Sequence, residues 1–398
     1  MFHQRSTRMH TRITPAQRLQ GIEPSIFAVM SALAAKHNAV NLGQGFPDFD
    51  GPPWLVEQFA SALHAGRNQY APMPGTQSLR EAVAAYQRDM HAVSWDADTE
   101  ITITAGATEA LCCAFLAFLD PGDEVLLFEP FYDAYLADAL LAGARPRCVT
   151  LHAPDFRIDE EELRRAVTPR TRMIVLNNPH NPTGRVFSAG ELRLVAEVAE
   201  EHNLLVLSDE VYEFLTYDDA RHIAFASLPG MRERCIAVSS TGKTFGMTGW
   251  KIGYAMAAAP LTQALRTVHQ FATFAVNTPA QLAMGRALGR LAEYLPEFRA
   301  TYQAKRALLA QGLADTPFTA ILPEGSYFMM VRLPREGKRT DVEIARYLVE
   351  HHRVAVIPPS VFYTESDEGM TMLRLCFAKK DDTLRAGIEC LRAASVAL

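Results

Sequence analysis

The chain has 398 residues, of which 48% are hydrophobic and 21% charged, and its formal net charge is -6. This length allows two domains with a large core, and the composition is that of an ordinary globular protein. The slightly acidic balance gives no electrostatic reason to expect binding to nucleic acid or to an anionic membrane.

Targeting and cysteine content indicate the compartment. No stretch approaches the roughly 20 apolar residues of a membrane span, and no apolar run follows the basic start of the chain as in a signal peptide. The six cysteines show no CxxC spacing, which argues against a disulfide framework or a metal site. These features predict a reducing, cytoplasmic location, with no metal and no membrane partner.

The first 75 residues contain two glycine-rich or proline-rich segments. Residues 1–20 are polar and without pattern, which predicts a flexible arm, and the apolar spacing of residues 22–35 predicts a short helix. Residues 40–51 (VNLGQGFPDFDG) begin like a strand and run into glycines, which let a backbone N–H approach a ligand closely. A linker turn is an equally good interpretation. Residues 68–75 (NQYAPMPG) form a Pro/Gly loop before a predicted helix at 77–90.

The next element is a candidate anion site. Residues 100–104 alternate like a strand, and residues 105–110 (AGATEA) open a long apolar helix. A strand, a glycine turn and a helix N-terminus present free N–H groups and a helix dipole to an anion. Gly106, Ala107 and Thr108 are therefore phosphate-binding candidates, the alternative being a helix that Thr108 simply caps.

Further apolar runs repeat this plan. Each is strand-like and ends in polar or aromatic residues: 125–128, 173–176, 204–207 and 236–238. Helical patterns lie between them, so the sequence predicts an α/β fold with a mostly parallel sheet flanked by helices. Ligands collect at the carboxyl ends of the strands of such sheets, which is where most of the polar candidates fall.

The run at 236–238 leads into SSTGKTFGMTGWKIGY, which ends at Tyr254. Its small residues and glycines predict a turn, and Lys243 and Lys251 are the only lysines between Lys36 and Lys305. A partly desolvated lysine can become the neutral amine that attacks an aldehyde, which an arginine cannot do. Lys243 is thus a candidate for covalent attachment of a carbonyl cofactor and Lys251 for a phosphate contact, whereas a surface turn is the bland alternative.

The pattern changes towards the C-terminus. Residues 255–310 are predicted to be helical with a break at 273–280, and shorter strands and helices follow residue 313. We expect a large domain (46–285) and a smaller α+β domain (21–45 plus 286–398). Arg374 alternates with leucines on a predicted strand, where it needs a partner, either an internal salt bridge or the carboxylate of a ligand.

The lysine stretch resembles the lysine loop of the fold-type I pyridoxal-phosphate aminotransferases of class I/II, with Ser240 three residues before the lysine and Lys251 eight after it. Other motifs follow in the family's order, among them NLGQGFPDF, YAPMPG, NPHNPTG, DEVY and LRLCFAK. The resemblance extends over about residues 22–392 and is strongest to bacterial methionine aminotransferases of the kynurenine aminotransferase and glutamine transaminase K group. It implies pyridoxal 5'-phosphate as cofactor and a homodimer with shared active sites.

The resemblance also implies roles for the cofactor site. Lys243 would carry the cofactor and move the substrate proton, and Asp209 would keep the ring nitrogen protonated. Tyr212 and Asn181 would donate to the ring's phenolic oxygen, while Tyr132 would stack on the ring. Phosphate ligands would be Gly106, Ala107, Thr108, Ser240, Lys251 and, from the neighbouring subunit, Tyr70. The alternatives are a helix cap for Asp209, Asx turns for the asparagines, and ordinary packing for the tyrosine of the Pro/Gly loop.

For the substrate, the resemblance places Gly45, Asn181 and Arg374 at the α-carboxylate. Phe274, Tyr327 and Phe362 would form an apolar pocket for methionine or an aromatic side chain, although core or dimer contacts are equally open for these rings. No second arginine clearly serves a side-chain carboxylate, which argues against aspartate or glutamate as preferred donor. Lys251 stands where the family more commonly has an arginine that binds the phosphate. A lysine keeps the positive charge but lacks the two parallel N–H groups of a guanidinium.

The predicted reaction is ping-pong transfer of an amino group to a 2-oxo acid. A carbon-sulfur β-lyase that acts on cysteine conjugates is the nearest alternative, since it would use the same lysine and cofactor. A regulator that uses the domain as a ligand sensor would need a DNA-binding module, for which about 20 residues before the first helix leave no room.

Overall fold

The computed structural model describes residues 14, 16–19, 22, 24–334 and 339–394. The predicted arm, residues 1–20, therefore lies mostly outside the described residues, and within it Gln17–Leu19 form one 3-10 turn. In the described ranges no helix is long and apolar enough to cross a membrane. No group of histidine, cysteine and acidic side chains in the same ranges could hold a metal ion.

The helices and strands follow the predicted order with few exceptions. The helices are α1 (Ile26–His37), α2 (Pro53–His64), α3 (Gln77–His91), α4 (Gly106–Phe118), α5 (Asp133–Ala142), α6 (Glu160–Ala166), α7 (Ala189–Glu201), α8 (Thr241–Thr244), α9 (Ala259–Ala272), α10 (Thr278–Leu288), α11 (Leu291–Leu313), α12 (Asp341–His352) and α13 (Asp381–Ala394). The strands are β1 (Val40–Asn41), β2 (Ile101–Ala105), β3 (Glu124–Glu129), β4 (Arg145–Thr150), β5 (Thr171–Asn177), β6 (Leu205–Asp209), β7 (Cys235–Ser240), β8 (Ile252–Met256), β9 (Thr319–Ile321), β10 (Phe328–Arg332), β11 (Val354–Ala355) and β12 (Met372–Cys376).

The central sheet confirms the predicted α/β fold. Its strand order is β2-β8-β7-β6-β5-β3-β4, and every neighbouring pair is parallel except those of β8, which runs antiparallel to both β2 and β7. The expectation that the chain is helical from residue 255 is wrong at this point, because Tyr254–Met256 are strand. A five-residue apolar run (IGYAM) has no periodicity that separates a buried strand from the start of a helix.

Alternate residues of the sheet strands enter two hydrophobic cores, one on each face. Leu126, Ile174 and Val206 belong to one core, whereas their neighbours Leu127, Val175 and Leu207 belong to the other. Strands buried on both faces read as continuous apolar runs, which is why these were recognisable in the sequence.

The sheet's topology gathers functional residues at one edge. Strands β2, β5, β6 and β7 are mutually parallel and end on this edge, at Ala105, Asn177, Asp209 and Ser240 respectively. Antiparallel β8 begins there, so the connection from β7 through α8 lies wholly at this edge and carries both lysines. Two small sheets complete the fold: antiparallel β12-β10-β9, and parallel β1-β11, in which Val40 pairs with Val354.

Candidate active site

A cleft of about 290 Å³ lies between the carboxyl edge of the central sheet and strand β12. Most of the residues singled out from the sequence line it: Gly45, Gly106, Ala107, Thr108, Tyr132, Asn181, Asp209, Tyr212, Ser240, Lys243, Lys251 and Arg374. They come from segments as far apart in the chain as Gly45 and Arg374, and the topology brings them to one cavity.

Lys243 lies on α8, a single helical turn that follows β7. The Ser240 hydroxyl accepts the N–H of Gly242 at 3.2 Å and so caps this turn. The Lys243 Nζ lies 3.5 Å from the Gly45 carbonyl oxygen and 5.9 Å from the centre of the Tyr212 ring. Burial lowers the pKa of Lys243 to about 8. A useful fraction of this amine is therefore neutral near pH 7, as nucleophilic and proton-transfer chemistry requires.

Asp209 ends strand β6 as a buried carboxylate that pairs with no cation among the residues that the structure describes. Its Oδ2 accepts the Tyr135 hydroxyl at 2.6 Å, and its Oδ1 accepts the N–H of Val211 at 3.3 Å. Burial raises the pKa of Asp209 to about 6. A carboxylate in this state is poised to pair with a cation that enters the cleft, because an ion pair there would be poorly screened by water.

This burial predicts a pH-dependent stability difference for Asp209→Asn in the ligand-free protein. The folded pKa of Asp209, about 6, exceeds the ordinary value of 3.8, so its stabilising contribution is full below pH 3.8 and is lost as the pH rises through 6. Asparagine does not titrate. The free energy of unfolding of the variant should therefore rise relative to wild type by about 2 kcal/mol between about pH 4.5 and about pH 8.

Urea unfolding of both proteins across this pH range measures the difference. Asp155→Asn, at an exposed position, is the matched control and should show no such trend. A difference for Asp209→Asn that stays constant with pH would contradict the placement of a buried, titrating carboxylate.

One end of the cleft is built for an anion. Helix α4 begins at Gly106 with φ +75°, and the residue before it makes no side-chain capping bond, so Thr108 does not serve as the cap. The Lys251 Nζ lies 3.4 Å from the Thr108 hydroxyl. A Cβ on Gly106 would come within 3.0 Å of that Nζ, so glycine leaves room for the lysine. A cation, a hydroxyl and a helix N-terminus together suit a phosphate.

Arg374 occupies the opposite wall, where it is 1% exposed. Its guanidinium donates to the Asn181 Oδ1 at 3.0 Å and to the Gly43 carbonyl at 2.9 Å, and its buried Nε has no hydrogen-bond partner among the described residues. Burial lowers the pKa of Arg374 to about 10, which still leaves it charged at neutral pH. In the described part of the chain it makes no salt bridge, so the internal-pair alternative is not realised. A buried guanidinium bonded only to neutral groups suits the carboxylate of a ligand.

Aromatic rings surround the guanidinium. Its central carbon lies 4.1 Å from the centre of the Phe328 ring and 4.8 Å from that of Phe27. These rings stabilise the cation by cation–π contact and exclude water from it.

The asparagines of the NPHNP segment divide into structural and cleft residues. The Asn177 side chain donates to the Asp209 carbonyl at 2.9 Å and accepts the N–H of Asn181 at 2.7 Å. The Asn178 Oδ1 accepts the N–H of Phe187 at 3.0 Å. Asn177 also lines the cleft, as does Asn181, whose side chain bonds to Arg374. Backbone groups of Asp209, Asn181 and Phe187 therefore hold the first two side chains, and the third, through its bond to Arg374, suits ligand recognition.

Two tyrosines present rings to the cleft. Tyr132 is the N-cap residue of α5, and its ring packs edge-on against Tyr135 at a centroid distance of 5.7 Å. The Tyr212 ring packs edge-on against Tyr327 at 5.1 Å, and burial raises its pKa above the ordinary value. Tyr212 therefore stays protonated and can donate a hydrogen bond.

Four predicted site residues do not line the cleft. Tyr70 is 82% exposed, and its ring lies 5.6 Å from that of Phe274, which is also exposed. Tyr327 is buried behind the cleft and donates to the Gly45 carbonyl at 2.6 Å. Phe362 is buried with its ring centre 5.4 Å from the central carbon of the Arg374 guanidinium. Within one chain, Tyr327 and Phe362 therefore pack behind the cleft wall, whereas Tyr70 and Phe274 lie on the protein surface.

Several residues that line the cleft were not predicted as site residues from the sequence: Phe27, Gln44, Phe46, Leu111, Asn177, Val211, Gly242, Thr248 and Phe328. Some of them are sequence neighbours of predicted site residues, as Gln44 is of Gly45, and could have been predicted on that ground. Phe27 carries no such signal, because only the packing of α1 against the C-terminal part brings it to the cleft.

The chain belongs to the aminotransferase class I and II family, whose model matches residues 37–391. It is 43% identical to the methionine aminotransferase of Escherichia coli (strain K12), over 96% of this chain and 98% of that protein. It is also 43% identical to a probable N-succinyldiaminopimelate aminotransferase of Mycobacterium tuberculosis, over 94% and 96%. A kynurenine–oxoglutarate transaminase of Dictyostelium discoideum is 37% identical over 93% and 94%.

Solved structures agree with the sequence relatives. That of the E. coli protein, described as a methionine aminotransferase, superposes with a TM-score of 0.92 over 96% of this chain and all of that chain, at 42% identity. The predicted family and fold are confirmed, and the chain is a transaminase of a class that works with pyridoxal phosphate. These relatives lend no support to the lyase alternative.

Proposed function

We propose that this enzyme moves the amino group of methionine, or of an aromatic or other large neutral amino acid, to a 2-oxo acid by a ping-pong mechanism with pyridoxal 5'-phosphate. The observation that carries the proposal is that Lys243 and Arg374 line the same cleft. An amine with a lowered pKa and a buried guanidinium that pairs with no carboxylate in the described residues are what an incoming α-amino acid needs. The methionine and kynurenine relatives support the substrate class.

The cleft's polar groups fit the cofactor at both ends. Lys251, Ser240 and the free N–H groups at the start of α4 would hold its phosphate, and Asp209 would pair with its ring nitrogen. Tyr212 and Asn181 would hold its phenolic oxygen, and Tyr132 would cover the ring. When bound, pyridoxal phosphate supplies an aldehyde that captures an amine and a ring that withdraws electrons.

The chain's own residues would then handle binding and proton transfer. Arg374 grips the α-carboxylate with two parallel N–H groups and thereby orients the Cα–H bond. The Lys243 amine, with its lowered pKa, takes the α-proton and delivers it back at another carbon. The aromatic rings around the guanidinium exclude water, which strengthens both contacts.

The side-chain region of the cleft favours an apolar substrate. Its lining includes the rings of Phe27, Phe46 and Phe328, and within the described residues that line it Arg374 is the only arginine. The side-chain carboxylate of an acidic substrate would therefore find no second arginine among the described residues that line the cleft. We retain Phe274, Tyr327 and Phe362 as proposed pocket residues, the first from the neighbouring subunit's side and the others as the back wall.

A donor panel tests the substrate proposal. We expect kcat/KM for methionine, phenylalanine, tyrosine and kynurenine to exceed that for aspartate and glutamate by at least about tenfold, because a buried, unpaired carboxylate is costly. Mass spectrometry of the 2-oxo acid products identifies the reaction. Aspartate or glutamate as the best donor would overturn the substrate class.

We also propose a homodimer in which Tyr70 serves the neighbouring subunit's phosphate site. The loop that carries Tyr70 is firmly anchored although its tyrosine is exposed: Thr278 donates to the Gln69 carbonyl at 2.7 Å, and the N–H of Ile103 donates to the Pro74 carbonyl at 2.9 Å. Together with exposed Phe271 and Phe274, it forms an apolar surface that a second copy would cover.

Mixed dimers test this arrangement. Tyr70→Ala should weaken cofactor binding about tenfold, and Lys243→Ala should be inactive. At a cofactor concentration that leaves Tyr70→Ala mostly empty, refolding or exchanging the two variants together should restore activity, since one site of the mixed dimer is then wild type in both residues. A mixture no more active than its components, or a monomer by sedimentation, would contradict shared sites.

Two further expectations are kept as proposals. The division into a large domain (46–285) and a small domain (21–45 plus 286–398) is supported by the separate small sheets, because β1 pairs with β11 rather than with the central sheet. A cytoplasmic location is supported by the six cysteines, all of which are free thiols.

A further inference from the structure

A buried histidine–carboxylate pair stands next to the phosphate end of the cleft without touching it. The His269 Nδ1, on α9, lies 2.6 Å from the Glu109 Oε1, and the other oxygen of Glu109 accepts the N–H of Ala105 at 2.5 Å. The His269 Nε2 lies 3.0 Å from the Met73 carbonyl oxygen. The His269 side chain is fully buried, and the Glu109 side chain is 10% exposed.

The partners determine where the protons lie. A carbonyl can only accept, so the Nε2 facing Met73 must carry a hydrogen. The carboxylate of Glu109 already accepts one N–H, and its second oxygen meets Nδ1 at a distance typical of a charge-assisted bond. The pKa of His269 is raised and that of Glu109 lowered against their burial, because each stabilises the charged form of the other. The pair is an imidazolium and a carboxylate.

The ion pair between Glu109 and His269 affects the candidate anion site because of where Glu109 lies. It lies in the first turn of α4, whose free N–H groups form the candidate anion site, and it fixes Ala105, the residue that starts this turn. An unpaired carboxylate there would repel a phosphate. His269 neutralises this charge while leaving the bond from Glu109 to the turn intact.

His269 also ties the turn to two other segments. Through Met73 it holds the loop that carries Tyr70. Its own carbonyl accepts the N–H groups of Thr273 at 3.0 Å and Phe274 at 2.9 Å, where α9 ends. One residue therefore links the phosphate turn, the Tyr70 loop and the segment that carries Phe274.

We propose that Glu109 and His269 are positioning residues of the phosphate subsite: the carboxylate shapes the turn at Ala105–Thr108, and the imidazolium cancels its charge so that a phosphate ester can bind. The inference rests on the proposed function, since it takes the ligand of this subsite to be the phosphate of pyridoxal phosphate.

Comparison of two ligands separates this role from general stability. Apoprotein is titrated with pyridoxal phosphate and with pyridoxal, which lacks the phosphate, and both dissociation constants are measured. His269→Phe should weaken pyridoxal phosphate binding about tenfold to a hundredfold and leave pyridoxal within about twofold. Equal losses for both ligands, or no loss for either, would overturn the proposal.

Two further variants separate charge from geometry. In Glu109→Gln the amide can accept the Ala105 N–H and donate to a neutral His269, which still donates to Met73, so pyridoxal phosphate affinity near neutral pH should stay within about threefold. The double variant Glu109→Gln/His269→Phe should recover most of the affinity that His269→Phe loses, because no carboxylate remains to repel the phosphate. A double variant as weak as His269→Phe would exclude the charge-neutralising role.

A matched control removes another buried histidine–glutamate pair. The His222 Nε2 lies 3.0 Å from the Glu210 Oε2, and both side chains are at most 3% exposed. His222→Phe loses a comparable contact away from the phosphate turn. It should leave the ratio of the two dissociation constants at the wild-type value.

The pH profile provides a readout that survives if His269→Phe fails to fold. The charged and titratable neighbours of the pair are Arg266, one turn earlier on α9, and Cys112 and Cys113 on α4. Because Glu109 raises the pKa of His269 above the ordinary 6.5 despite its burial, the pair is neutral overall below that raised pKa and gains a net negative charge as the pH rises through it.

The preference for pyridoxal phosphate over pyridoxal should therefore fall in wild type as the pH rises from 6.5 through the raised pKa of His269, relative to Glu109→Gln, which has no carboxylate at this position. Identical profiles for the two proteins would refute the electrostatic part of the inference. A wild-type protein that binds neither ligand would instead refute the proposed function.

Discussion

Lys243→Ala should lower turnover at least about 10⁴-fold while the protein still binds pyridoxal phosphate. Lys243 is the amine of the cleft with a lowered pKa, about 8, and no other amine takes its place: Lys251 lies at the phosphate end, beside Thr108. The residues proposed to hold the phosphate and the ring do not include the lysine, so cofactor affinity should be largely preserved. Steady-state rates with methionine and an equilibrium titration of the cofactor measure the two quantities.

The controls separate loss of the amine from loss of a charge. Lys243→Arg keeps the charge but cannot deprotonate, so it should be as inactive as the alanine variant. Lys36→Ala removes an exposed lysine of α1 and should leave the rate unchanged. Substantial activity in either Lys243 variant would remove this residue from the mechanism.

Arg374→Lys should reduce kcat/KM for methionine about 10²-fold to 10³-fold with little change in cofactor affinity. The lysine keeps a positive charge but cannot offer two parallel N–H groups to a carboxylate, and it cannot reach Asn181 and Gly43 in the same geometry. The substrate is then bound more weakly through its α-carboxylate and is oriented less well for reaction, which affects KM and kcat together. Steady-state kinetics with the amino-acid donor measure this effect.

A substrate without the carboxylate distinguishes recognition from structural damage. The amine that corresponds to decarboxylated methionine should react slowly with wild type and equally slowly with Arg374→Lys. Arg353→Lys, which changes a residue at the C-terminal end of α12, controls for the substitution itself and should leave both substrates unaffected. An Arg374→Lys enzyme that loses activity equally on both substrates would show that the arginine is structural.

The sheet and the carboxyl-edge residues were predictable because each depends on local sequence. Continuous apolar runs identify strands such as β5 and β6, and polar residues directly after them must lie at the sheet's edge, as Asp209 does. Gly106 follows β2 and begins α4, so its place in an anion site also follows from neighbours in the chain.

The antiparallel strand and the distant walls were not predictable in this way. Strand β8 has five residues and lacks a period that separates strand from helix, and β4 (RPRCVT) has two arginines and a proline, which hide it among non-strand segments. Phe27 and Phe328 meet at Arg374 only through tertiary packing. The partners of Arg374 are the Gly43 carbonyl and the Asn181 amide, and both are positioned by loops. The sequence therefore could not decide whether Arg374 forms an internal salt bridge or binds a ligand carboxylate.

The His269–Glu109 pair shows a third case. Neither residue belongs to a spacing pattern, and 160 positions separate them. Their meeting requires α4 to pack against α9 on one face of the sheet, which periodicity predicts only as a general arrangement of helices.

The most direct test of the central claim is the visible absorbance of the purified, cofactor-loaded enzyme before and after addition of L-methionine without a 2-oxo acid. We predict that the band of the bound cofactor aldehyde is replaced by that of its aminated form, that one equivalent of 2-oxo acid product appears per site, and that a 2-oxo acid then restores the original band. A band that persists while ammonia and pyruvate accumulate from a cysteine conjugate, or a protein that takes up no cofactor, would contradict the account of this cleft as a transaminase site.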